Sequence, residues 1–281
     1  MNYKSILNLI GLLLAIFSFA FIPPLIVTFI YKEPLSEIFL YSFLFLISLG
    51  VLMWFISRQK GLPLNISDGF IITTMFWIVL ACAGSIPFYF FGLSFNDAIF
   101  ESVSGITTTG ATLIVGLDDL PKSLLLYRQL LQWIGGMGLI ILAVAVMPAL
   151  GIGGSQLYKM ELPGSHGNQK LTPKITDSAK ALWKIYFGLT LACALLYILS
   201  GMDIFDAIAH SLSTVAGGGF STHDKSIGFF DSGLIEAVCI IFMLLSAASF
   251  AVHYAAIFGG KPLRYFYDSE FRFFLIVVMS I

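Results

Sequence analysis

The chemistry this chain offers lies in two short polar tails. Thr107-Thr108-Thr109-Gly110-Ala111-Thr112 and Ala216-Gly217-Gly218-Gly219-Phe220-Ser221 hold no charged side chain. They present backbone carbonyls with hydroxyls nearby, and rings of such oxygens coordinate a dehydrated alkali cation well. Glycine at the shared position allows backbone angles that aim successive carbonyls the same way. The tails close two segments that repeat one another. Asp97–Gly110 aligns without a gap on Asp206–Gly219, an offset of 109 residues, with Asp, Ala, Ile, two Ser and the last Gly identical. One such stretch alone reads as a packing loop. Two copies, each between long apolar runs, read as a pair of pore loops.

Other chemistry is weakly represented. Gly219-Phe220-Ser221-Thr222-His223 sets a Ser and a His beside a Gly, but lacks the strand–turn–helix context of a nucleophile elbow. An enzyme is therefore not expected. His210 aligns with Glu101 of the first repeat and reads as solvated or helix-packed rather than as a proton relay. His253 reads as a satisfied core residue, and His166 lies in a polar stretch. Cys82, Cys193 and Cys239 each sit in an apolar run without metal-ligand spacing and read as packing residues.

The elements that must position the tails are membrane spans. The chain is 58% hydrophobic and 11% charged over 281 residues, against about 25% charged in soluble domains. Six runs meet the length of about 20 apolar residues that a span needs: Ile6–Ile30, Glu37–Ser57, Gly69–Phe91, Leu124–Leu150, Ala181–Gly201 and Gly233–Phe258. A seventh starts near Glu270. The first run is too long for a signal-peptide core and reads as a retained span, kinked or ended by Pro23-Pro24. Gly135-Gly136-Met137-Gly138 predicts close helix packing, with a hinge as the alternative.

Charge sets the expected orientation. With the N-terminus in the cytoplasm, 11 Lys and Arg fall inside and only Lys32, Lys122, Arg128 and Lys225 outside, a positive-inside bias. Acidic residues, Glu101 and Asp206 among them, fall on the outer side. There they either concentrate cations near an entrance or are merely unconstrained by the orientation rule. Alternation holds only if each repeated segment returns to its own side. Asp97–Ile106 is therefore read as a half-helix of about 15 Å, dipping in from outside. Its C-terminal end carries partial negative charge toward the membrane centre. Asp97 and Asp206 are expected to cap the half-helix N-termini.

The expected fold class is thus an all-α integral membrane protein: a helix hairpin, then two span–pore-loop–span repeats and the start of a third. The expected segments are a hairpin over 1–60, a first repeat over 68–150, a basic cytoplasmic linker over 151–180, a second repeat over 181–260, and the start of a third at 268–281.

TTTGAT (Thr107–Thr112), GGFSTHD (Gly218–Asp224), RQLLQWIGGMG (Arg128–Gly138) and KLTPKITDSAKALWKIY (Lys170–Tyr186) resemble the Trk-type membrane subunit of bacterial potassium uptake systems, over essentially the whole chain. The resemblance implies four repeats around one pore, potassium as the transported ion and no further cofactor. It also implies the bacterial inner membrane, pairing as homodimers, a cytoplasmic ring of nucleotide-binding regulatory subunits, contact with lipid and none with nucleic acid. It carries the filter role onto Thr108, Thr109 and Gly110, and onto Gly217, Gly218 and Gly219. Gly217 stands where that family often has a bulkier residue, which would loosen the second filter segment. Two of the four repeats are present, so a truncated product or fragment is expected. A cation-coupled secondary transporter with broken helices and a non-conducting helical scaffold are the alternative functions.

Overall fold

The computed structural model describes residues 3–58, 66–150, 175–248, 250–257, 259–260 and 263–280. The described residues form helices joined by turns, without a strand among them. Among the described residues, four stretches are long and apolar enough to cross a membrane: Tyr3–Tyr31, Ser36–Ile56, Ile71–Phe91 and Lys180–Leu199. Large apolar side chains such as Phe29, Phe45, Phe55 and Leu199 stand exposed on them, as lipid-facing surfaces do. The protein is a multi-pass membrane protein.

The chain opens with a hairpin. α1 (Tyr3–Ser18) passes through a 3₁₀ turn (Phe19–Phe21) into α2 (Ile22–Tyr31), and α3 (Ser36–Ile56) runs back along them. Pro23 and Pro24 fall at the start of α2, so the tight turn absorbs their missing N–H groups and the chain stays helical. α1 and α3 touch through glycine: a Cβ on Gly11 would lie 2.7 Å from the Gly50 carbonyl oxygen. Small residues bring helix backbones together where lipid gives apolar side chains no reason to seek each other.

Two similar units follow. α4 (Ile66–Gly84) and α5 (Ile86–Phe91) lead into the short α6 (Phe95–Ile106), the first tail, a 3₁₀ turn (Leu117–Asp119) and the long α7 (Lys122–Leu150). α8 (Ile175–Leu199) leads into the short α9 (Ile204–Ala216), the second tail, another 3₁₀ turn (Ser226–Phe230) and α10 (Gly233–Ala247). The short helices hold 12 and 13 residues, about 18 and 20 Å at 1.5 Å per residue. Each is too short to cross a hydrocarbon layer of about 30 Å.

α7 is the central strut. Tyr127 is fully buried among Phe21, Phe39 and Phe88, with ring centroids 5.3–5.6 Å away. Its hydroxyl donates to the Gly84 carbonyl at 2.8 Å. The carboxylate of Glu33 accepts the Lys122 and Ser123 backbone N–H groups at 2.7 and 3.1 Å, so the hairpin caps the start of α7.

The expected boundaries shift in two places. The segment 151–174 lies outside the described residues, yet α8 is already helical at Ile175, inside the stretch read as linker. The run Gly233–Phe258 is not one helix. α10 ends at Ala247, Ala248 is extended (φ −71°, ψ 143°), and α11 (Phe250–Ile257) follows. The Leu245 carbonyl accepts from Ala248 N at 3.0 Å and from His253 Nε2 at 2.9 Å. A side chain thus re-satisfies the carbonyl next to the break, as broken membrane helices require. α12 (Arg264–Tyr267) and α13 (Ser269–Met279) close the described chain, Tyr265 reaching His253 Nδ1 at 2.7 Å.

Candidate functional site

The half-helices begin on residues other than those expected. Ser94 caps α6: its Oγ accepts from Asp97 N at 3.2 Å and donates to Asp97 Oδ2 at 2.7 Å. Asp203 caps α9, accepting from Phe205 N at 3.0 Å. Asp97 and Asp206 are both the third residue of their helix, one turn past the position whose extended backbone lets a side chain fold back on the N–H groups. Asp206 is then free to serve its own tail. It accepts from Thr222 Oγ1 at 2.8 Å and meets His223 Nε2 at 3.2 Å.

The tails share only Gly110 and Gly219 in sequence but match in conformation. Thr108 and Gly217, at the offset of 109, have φ of 54° and 67°, and Gly110 and Gly219 have 77° and 84°. Thr109 N donates to Ser104 O at 2.9 Å and Gly218 N to Ser213 O at 3.0 Å. Thr108 N bonds Gly105 O and Gly217 N bonds Thr214 O, again at the same offset. Gly217 therefore fills the left-handed position that Thr108 occupies against the preference of a β-branched side chain.

Hydrogen-bond accounting shows what this backbone leaves over. The tail N–H groups turn back onto the last carbonyls of their half-helices. Among the described residues, no donor reaches the carbonyl oxygens of Thr108, Thr109, Gly110, Gly217, Gly218 or Gly219. Positive φ at alternate residues turns successive peptide planes so that carbonyls gather on one side and N–H groups on the other. The tails also adjoin: a Cβ on Gly110 would sit 2.0 Å from the Gly218 carbonyl oxygen. Each tail thus leaves carbonyl oxygens uncommitted, and the two tails meet at Gly110 and Gly218. No group of three or more His, Cys, Asp or Glu among the described residues is placed to hold a metal. The oxygen available here is backbone oxygen, which suits an alkali cation.

Behind each tail lies a buried latch. Thr112 Oγ1 donates to the Glu101 carboxylate, at 2.9 and 3.0 Å from its two oxygens. At the equivalent positions His210 Nδ1 faces the Asp206 carbonyl at 2.9 Å. A carbonyl only accepts, so Nδ1 carries the proton and Nε2 accepts from Ser221 Oγ at 3.0 Å. The Ser–His contact ends on a backbone carbonyl rather than a carboxylate, which is not a nucleophilic triad.

Glu101 and Arg128, both counted on the outer side, are buried rather than solvent-facing. Both are 0% exposed, and Arg128 Nε donates to Glu101 Oε1 at 2.8 Å. The same guanidinium donates to Thr112 Oγ1 at 3.0 Å and to the Ser221 carbonyl at 3.2 Å. It also stacks on Phe220, 4.3 Å from the ring centroid. One turn on, Gln132 Oε1 accepts from Ser213 Oγ at 2.8 Å and from Phe220 N at 3.0 Å. The sequence did carry a signal for these residues. Arg128, Gln129 and Gln132 interrupt an apolar run, and an ionisable group there is costly unless buried against a partner.

Gly135 and Gly136 turn out to be close-packing positions. A Cβ on Gly135 would lie 1.9 Å from the Ile106 carbonyl oxygen, and one on Gly136 would lie 3.3 Å from Ala216 Cα. α7 thus rests bare backbone against the ends of both half-helices. Beyond the tails, Asp224 Oδ1 accepts from Gly116 N and Leu117 N, both at 3.1 Å. His223 bridges Asp118 and Asp206. The hydrogen bond from His223 holds the Asp118 carboxyl below its ordinary range.

Comparison with known proteins fits this arrangement. The family model described as "TrkH: Cation transport protein" matches residues 35–281. The chain is 50% identical to "Trk system potassium uptake protein TrkH" of Vibrio parahaemolyticus, over 99% of this chain and 58% of that protein. It is 45% identical to the Escherichia coli K12 protein of the same name, over 100% of this chain and 59% of that one. The crystal structure of the potassium transporter TrkH from Vibrio parahaemolyticus superposes with a TM-score of 0.84 at 47% identity, covering 98% of this chain and 57% of that chain. This chain therefore spans a little under three-fifths of the length of these relatives. The agreement covers nearly the whole chain, and the chain belongs to the TrkH family of cation transport proteins.

Proposed function

We propose that this chain transports potassium across a bacterial cytoplasmic membrane, and that Thr108, Thr109, Gly110, Gly217, Gly218 and Gly219 are two neighbouring segments of its selectivity filter. One observation carries the reading. The two tails share positive φ at equivalent residues and lie against each other, with their carbonyls uncommitted. The half-helices support it by pointing their C-terminal ends at the tails, where partial negative charge favours a cation. Gly219 has open space where Gly110 meets Gly218, the place for the next segment of a four-part ring. The segments 1–60, 68–150, 181–260 and 268–281 are read as hairpin, first repeat, second repeat and the opening of a third. The N-terminus is assigned to the cytoplasm by the charge bias. Pairing as homodimers and control by a cytoplasmic nucleotide-binding ring belong to the same proposal through the family.

The test uses bacterial cells that lack potassium uptake. The chain is expressed in them alone, and also joined to the part of the Vibrio parahaemolyticus relative that it does not match. Growth at low potassium with the joined form supports the reading. Normal membrane insertion of both forms without growth refutes it. In the joined form Gly110→Ser should lower rubidium uptake relative to sodium, because the carbonyl geometry depends on glycine. An unchanged ratio would remove the filter assignment.

A further inference from the structure

Three polar side chains of α7 have no part in lining the filter patch, yet all face the second tail. Arg128 donates to the Ser221 carbonyl, Gln129 Nε2 reaches the Phe220 carbonyl at 3.5 Å, and Gln132 accepts the Phe220 N–H. α7 belongs to the first repeat and the tail to the second. Every backbone polar group that the structure pairs at Phe220, and the carbonyl of Ser221, is therefore held by the neighbouring unit rather than by its own. Arg128 also grips the first tail through Glu101 and Thr112. One guanidinium thereby fixes the ends of both tails, with its plane backed by the Phe220 ring.

Gln132 sits still closer to the patch. A Cβ on Gly218 would lie 2.3 Å from its amide carbon, so the side chain forms the wall behind that residue. Gln132 Nε2 and Gln129 Oε1 are buried without a hydrogen-bond partner among the described residues. Buried polar atoms are normally paired. An apolar side chain would fill this space without the orphan atoms, but it could not hold Phe220 N.

We infer that Arg128, Gln129 and Gln132 are positioning residues that set the register of the second filter segment against the first, and with it the discrimination between cations. This rests on reading the tails as filter segments. The residues do not touch the ion. They act by fixing where the carbonyls of Gly217, Gly218 and Gly219 point, since the rigid planar fork of one guanidinium holds Glu101, Thr112 and Ser221 in a set geometry, which the compact, rotatable ammonium of lysine does not reproduce.

The experiment compares the joined form described above with its Arg128→Lys and Gln132→Leu variants. Amide hydrogen exchange of 217–222 is followed in detergent, and rubidium and sodium uptake is measured per inserted molecule in the cells described above. Arg128→Lys keeps the charge beside Glu101, so it retains the fold if Arg128→Leu does not. Both variants should insert like the parent and exchange about tenfold faster over 219–222, the change one lost hydrogen bond carries. Sodium uptake should rise relative to rubidium. Unchanged exchange together with an unchanged uptake ratio overturns the inference. Faster exchange with an unchanged ratio also overturns it, because the side chains would then brace the tail without tuning it. A parent that shows protected amides but admits neither cation overturns the filter reading itself.

Discussion

The two equivalent tail glycines should respond unequally to the same substitution. Gly110 and Gly219 occupy equivalent positions, with φ of 77° and 84°. Alanine at either must hold a left-handed backbone, at roughly 1–2 kcal/mol. Their surroundings differ. A Cβ on Gly219 meets nothing within 4 Å, whereas one on Gly110 would sit 2.0 Å from the Gly218 carbonyl oxygen. Real Cβ atoms do not approach closer than about 3.0 Å, so the Gly218 peptide must retreat by about 1 Å. Gln132 blocks the space directly behind Gly218, and over-packing of this kind costs about 1–3 kcal/mol more. At about 2–4 °C per kcal/mol for a chain of this order of size, Gly110→Ala should melt roughly 2–12 °C below Gly219→Ala in detergent. It should also displace a carbonyl of the other repeat, so cation uptake falls further than the loss of folded protein explains. Thermal unfolding of the two variants side by side is the assay. Equal melting temperatures, or a lower one for Gly219→Ala, would refute the packing argument.

Other perturbations follow from the same contacts. Arg128→Met strands a buried carboxylate and should cost about 3–5 kcal/mol, much of which Arg128→Met with Glu101→Gln should recover; denaturation of the four proteins in a double-mutant cycle measures this. Gly135→Ala drives a Cβ to 1.9 Å from the Ile106 carbonyl oxygen and should destabilise, whereas Gly188→Ala on α8 meets open space and should stabilise by about 0.5–1 kcal/mol; melting curves of both variants check the pair. The Asp118 carboxyl is held below its ordinary 3.8 by its hydrogen bond from His223. Its contribution is therefore present above that value and lost as pH falls through the lower folded one. Asp118→Asn should remove that part of the acid limb of a stability–pH curve, measured by unfolding at a series of pH values.

Much of the architecture was legible in the chain because membranes make patterns local. The hairpin, the two short helices and their tails follow from apolar run lengths and one internal alignment. The charge pattern misled where a charge was inside. Glu101 and Arg128 were each assigned to an aqueous side because orientation counting treats every Lys and Arg as solvated, whereas these two are fully buried against one another. The caps were misplaced by one turn for a similar reason. Identity between Asp97 and Asp206 marks them as equivalent, but only backbone angles distinguish a cap from the first helical turn. The break at Ala248 left no proline or glycine to announce it, since the compensating donor, His253, lies five residues further on.

The sequence by itself determined that this is an all-helical membrane chain, that it carries one unit twice, and that each unit holds a short helix ending in a tail whose oxygens suit an alkali cation. These follow from hydropathy, length and residue identity, which act within a single segment. Only the tertiary structure decided how the tails meet. It set Gly110 against Gly218, pressed Gly135 onto the end of α6, and brought Arg128 and Gln132 behind a tail that comes about 90 residues later. Those contacts join separate helices. Their partners are chosen by packing and by the need to pair buried polar groups, and neither can be read from one helix at a time.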